Sequence, residues 1–151
     1  VVALLVRLFP RQFDNNFRGH WLALWLLVPI LLLKAVIGTN SILRTHDVAM
    51  GADGIPLDSY GGAAARSVVA LFALLGLFQL LLALLGAVAL IRYRAMVPFV
   101  YLFLLIQMLG NRGVALLRPM TETAAPGSAI SLGLLAATLL GFVLSLLNVK
   151  R

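Results

Sequence analysis

Leucine, alanine and valine fill four long stretches of this chain, at about 20–38, 67–91, 95–117 and 127–149, and most charges lie between them. Each stretch is close to the roughly 20 residues an α-helix needs to cross a hydrocarbon layer. The alternating pattern of a membrane barrel strand is missing, and in lipid only helices or closed barrels satisfy the backbone. The pattern therefore predicts an all-α integral membrane protein: one domain over 1–151 with four transmembrane helices and an outer loop at 39–66. Only Arg92, Tyr93 and Arg94 separate the second and third spans, which predicts a tight antiparallel hairpin. Pro98 then falls in the first turn of the third helix, where its missing N–H costs little.

Ahead of the first span, Phe9, Phe13 and Phe17 recur every four residues, with Arg11 and Arg18 roughly opposite. Such a segment reads as a short N-terminal interfacial amphipathic helix, with Pro10 at its first position, phenylalanines toward the acyl chains and arginines toward phosphates. The opening VVALLVRLF is too short to span and lacks a small-residue cleavage pattern, so it is not read as a signal peptide.

Composition sharpens this picture. Apolar residues make up 62% of the chain and charged ones 11%, against roughly 45–50% and 25% in a soluble domain. The net charge of +7 comes from basic residues scattered singly between apolar spans, which marks topology and lipid headgroup contact rather than nucleic acid. Arg7, Arg11, Arg18, Arg92, Arg94, Lys150 and Arg151 fall on one side, against Arg44, Arg66, Arg112 and Arg118 on the other. This bias places both termini in the cytoplasm, and the arginine, alanine and leucine usage suggests a bacterial inner membrane. Trp21 and Trp25 begin the first helix at the cytoplasmic boundary. Arg11, Arg18, Arg92 and Arg94 are the expected headgroup contacts. Cysteine is absent, which excludes disulfides and thiolate chemistry.

Polar residues inside the spans are the candidates for chemistry. At about 1.5 Å per residue, Gln79 and Gln107 lie at the same depth, roughly 18 Å from the cytoplasmic boundary. They are expected to meet as an interhelical amide clamp, with Gly76, Ala83 and Ala87 giving close approach and Asn111 one turn from Gln107. Lys34 and Arg112 fall at about 21 and 25 Å, where snorkelling to the outer interface is the expectation. In the fourth span Ala129, Gly133, Ala137, Gly141 and Ser145 follow every four residues, a small-residue ladder suited to close helix packing, either inside the bundle or against a neighbouring protein.

The stretch THDVAMGADGIPLDSYGG, 45–62, holds three of the five acidic residues, Asp47, Asp53 and Asp58. Its turn formers predict an ordered outer loop capping Lys34, Arg112 and Arg118, with Asp58 or Ser59 as N-cap of the second span. The residue order of a calcium loop is missing, His20 and His46 fall on opposite sides, and no nucleophile–base spacing or phosphate loop occurs. No cofactor or metal is expected, and no nucleic-acid partner. The reading is a non-catalytic accessory or scaffold subunit in contact with membrane lipids and with other membrane subunits or itself. The rival reading is a small transport or lipid-binding protein with an outer-half pocket built from Lys34, Gln79, Gln107, Asn111 and Arg112.

Overall fold

The computed structural model describes residue 8 and residues 14–117 and 127–147. It is all-helical there: α1 Trp21–Leu43, α2 Thr45–Gly51, α3 Gly62–Arg92, α4 Val97–Leu117 and α5 Gly127–Leu146, with single 3-10 turns at Leu57–Ser59 and Arg94–Met96. Four of these, α1, α3, α4 and α5, are long and apolar enough to cross a membrane. This is the architecture of a multi-pass membrane protein.

The four long helices form an antiparallel bundle. α1 lies along α3 and α5, and α4 closes the ring mainly against α5. At one end, the turn end, His20 N donates to Leu144 O at 3.0 Å and Ala95 N to Asp14 O at 3.3 Å. Those bonds tie the chain before α1, the α3–α4 turn and the end of α5 together. His20 also caps α1, its Nδ1 accepting from Leu22 N at 3.2 Å. Pro98 sits at the second residue of α4. Residues 14–20 carry no helix, so Phe17 and Arg18 do not belong to an amphipathic helix. Phe17 packs against the core instead. The remainder of that expected helix, Phe9, Pro10, Arg11 and Phe13, lies outside the described residues.

Small residues set the helix spacing. Buried positions on α3 are Gly76, Ala83, Gly86 and Ala89, a narrow stripe without bulk. A Cβ on Gly38 of α1 would sit 2.8 Å from Gly76 O and 2.9 Å from Leu80 N, so the two backbones are in direct contact. The ladder on α5 divides. Ala129 and Gly133 are exposed, Ala137 is half-buried, and Gly141 and Ser145 are buried. Gly141 lies beneath the Tyr101 ring of α4, while nothing approaches Gly133 within 4 Å. Internal packing thus accounts for the turn-end half of the ladder.

The opposite, loop end is more helical than its composition implied. α1 runs on to Leu43 and α2 follows at once, so the expected loop at 39–66 shrinks to the stretch around the 3-10 turn. Ala49, Ile55 and Leu57 bury themselves against Val68, Val69 and Phe72 of α3. Gly54 makes the turn at φ 67°, a left-handed conformation that favours glycine. Partial burial raises the Asp53 carboxyl above its ordinary range. The N-cap of α3 is Gly61, with no side-chain cap. Ser59 Oγ instead donates to Pro56 O at 2.7 Å, and Asp58 lies 3.9 Å from His46 Nε2. Among the described residues the loop carboxylates form no ion pair with Lys34 or Arg112, so the expected acidic cap is absent there. Arg118 lies outside the described residues.

Candidate functional site

Lys34 does not snorkel. Its residue is 2% exposed, and Nζ donates to Gln107 Oε1 at 2.5 Å and to Gln79 Oε1 at 3.4 Å. The longer bond is near the limit of useful geometry; the shorter carries most of the interaction. The phase of α1 explains the inward direction. Leu27, Leu31, Lys34, Gly38 and Ser41 are all buried on one face, at the spacing of a helix seam. One turn toward the loop end, the Gly38–Gly76 contact holds α3 close enough for Gln79, three residues after Gly76, to reach the amine.

The two glutamines therefore meet through a third group. The expected amide–amide clamp is replaced by Lys34, whose ammonium donates to both carboxamide oxygens. Asn111 is exposed and stands apart from the cluster. Arg112 is half-buried, and its Nε is sealed from solvent with no hydrogen-bond partner. Lys34, Gln79 and Gln107 are thus gathered, with Arg112 farther toward the loop end.

This triad supplies one amine and two carboxamides, whose oxygens both point at the amine. That is chemistry for holding a negatively charged or hydrogen-bond-accepting group. Among the described residues no three His, Cys, Asp or Glu side chains gather as metal ligands.

If Lys34 joins the amides, Gln79→Leu and Gln107→Leu should couple by about 0.6–2 kcal/mol in a double-mutant cycle of unfolding in mixed micelles. In a Lys34→Met background that coupling should vanish. Coupling that persisted without the amine would mean the amides bond directly.

Two further features escaped the sequence reading. Tyr101 is fully buried, and its hydroxyl donates to Ala23 O across the bundle at 2.7 Å. A tyrosine inside an apolar run signals a hydroxyl that needs a partner. Second, an apolar groove of about 280 Å³ opens between α1 and α5, lined by Leu26, Pro29 and Leu33 and by Ile130, Gly133 and Ala137. At the turn end Arg18, Arg92 and Arg94 are exposed, and Arg94 Nε donates to Leu90 O at 3.2 Å. Arg11 lies outside the described residues. Comparison of the chain with protein families, with curated proteins and with solved structures finds no match.

Proposed function

We propose that this chain is a non-catalytic accessory or scaffold subunit of a larger complex in a bacterial inner membrane, with both termini in the cytoplasm. The observation that carries this reading is the one-sided packing of α3. Its buried residues are all Gly or Ala, while Leu74, Phe78, Leu81, Leu85 and Val88 stand exposed along its length. Lipid tails are as apolar as leucine, so exposure alone does not drive assembly. A long helix committed on one narrow stripe leaves most of its circumference for neighbours. Purification in mild detergent followed by mass spectrometry should recover the chain with a second membrane subunit at fixed stoichiometry. Recovery of the chain alone overturns the reading.

The charge distribution supports the orientation. Along the sequence Arg7, Arg11, Arg18, Arg92, Arg94, Lys150 and Arg151 fall on the side of the termini and the Arg92 turn, against Arg44, Arg66, Arg112 and Arg118 on the other. Cysteines placed at Ser59 and Tyr93 should therefore react with impermeant reagents from opposite sides, Ser59 from the periplasm. Reversed labelling inverts the orientation.

The Lys34 cluster favours a second reading, a small transport or lipid-binding protein with a polar pocket. An ionisable side chain inside a bundle is expensive and marks function more often than packing. Under this reading an isolated monomer should bind its ligand without any other subunit.

A further inference from the structure

We infer that the Lys34–Gln79–Gln107 cluster is the docking point for a carboxylate carried within the bilayer by a transmembrane helix of a partner protein. The inference rests on the accessory-subunit reading and names the chemistry of the contact.

Three observations lead to it. First, the described spanning helices hold Lys34 and Arg112 away from their ends and Arg66 and Arg92 near the ends of α3, and no Asp or Glu. A buried charge needs a counter-charge or a close-fitting polar cage, because desolvation costs several kcal/mol per ion. Lys34 has two neutral oxygens, and no described carboxylate pairs with it.

Second, the carboxamides are only half used. Their Oε1 atoms accept from Lys34, and among the described residues neither Nε2 has a hydrogen-bond partner. Arg112 Nε is the single buried side-chain nitrogen or oxygen there left without one. Neither Gln Nε2 is sealed in this way, and both glutamines are half-buried. Each amide is polarised by the ammonium behind it, and hydrogen bonds in series strengthen one another. The pair relays the charge of a sealed lysine to two N–H₂ donors that it leaves unused. An acceptor with two oxygens, such as a carboxylate, matches two such donors.

Third, depth selects the carrier. By the rise of α1, Lys34 lies about 21 Å from the turn-end boundary of a hydrocarbon layer about 30 Å thick, hence roughly 9 Å below the other surface. Lipid phosphates sit at the surface, beyond reach of a side chain that points inward. An anion at this depth is best delivered by the Asp or Glu of another spanning helix, for which a cationic partner offsets much of the cost of insertion.

The probe is a synthetic Leu/Ala transmembrane peptide of about 22 residues carrying one Asp at the depth of Lys34, with its Asn analogue as control. Association with the full chain is measured by energy transfer in phosphatidylcholine vesicles. The Asp peptide should associate at least about tenfold more tightly than the Asn peptide, and Lys34→Gln should erase that difference, with Lys34→Arg restoring part of it. Equal association of the two peptides with the unmodified chain overturns the proposal, whether or not any variant folds. So does displacement of the Asp peptide by phosphatidylglycerol, which would identify a lipid anion as the occupant. If subunits co-purify but the Asp peptide does not bind preferentially, the accessory role stands and the carboxylate contact falls. If the Asp peptide binds while the chain purifies alone, the contact stands and the accessory role falls.

Discussion

Gly38→Val should destabilise the bundle by about 3 kcal/mol, since overpacking costs about 1–3 kcal/mol and the Lys34–Gln79 bond is lost with it. The atoms in the way are backbone: Gly76 O and Leu80 N lie 2.8 and 2.9 Å from the new Cβ. A side chain can rotate aside, but a helix backbone has to translate as a unit. α1 and α3 must separate, and Gln79 moves away from an amine it already reaches only at 3.4 Å. The measurement is reversible unfolding in mixed micelles. Gly110→Ala is the control, because nothing lies within 4 Å of that position. It should leave stability unchanged or raise it by up to about 1 kcal/mol through helix propensity. Equal behaviour of the two variants would mean that α1 and α3 are not in backbone contact.

Gly141→Leu should have a comparable effect for a different reason. Its Cβ would fall on Cε1, Cζ and Oη of Tyr101. The ring is fully buried and its hydroxyl is bonded to Ala23 O, so the leucine can be housed only by displacing it. Expulsion of the ring loses that bond, about 0.5–1.5 kcal/mol, and adds strain of about 1–3 kcal/mol. Tyr101→Phe measures the hydrogen bond alone. In a Tyr101→Ala background Gly141→Leu should cost far less, because the leucine then occupies the vacated space. If the cost is unchanged in that background, the residue beneath Gly141 is not Tyr101.

The four crossings were legible in the sequence because apolar length alone determines them. What length does not determine is azimuth. Depth along α1 follows from counting residues, but whether Lys34 faces lipid or core depends on the helical phase of its neighbours. In a soluble helix that phase is read from hydrophobicity; here both faces are apolar, and the face that packs is marked by small residues instead. Leu27, Leu31, Lys34, Gly38 and Ser41 show it: the seam turns from leucine to glycine and serine toward the loop end. Read with that rule, Lys34 belongs to the seam. The meeting of Gln79 and Gln107 was inferred from equal depth, which is necessary for contact but does not reveal a third side chain between them. The N-cap of α3 was obscure for another reason. Asp58 and Ser59 are good capping residues, but Ser59 Oγ is engaged by Pro56 O and the helix begins only after Gly61.

α3 has 31 residues and α5 has 20. Between Arg66 and Arg92, α3 runs 25 residues without a charge, about 38 Å at 1.5 Å per residue, and the described length of α5 is about 30 Å. One wall of the bundle is therefore matched to an average bilayer, and the other exceeds it. Hydrophobic mismatch of this kind is relieved by tilting the long helix or by thickening the lipid beside it, at a fraction of a kcal/mol per Å. Because the excess is on one wall only, the surrounding bilayer is deformed asymmetrically, thicker along α3 than along α5. Such a thickness gradient gives two molecules a reason to share their α3 sides, where a common thickened zone has less perimeter than two separate ones. It also makes the energy of that encounter depend on the acyl chain length of the host membrane.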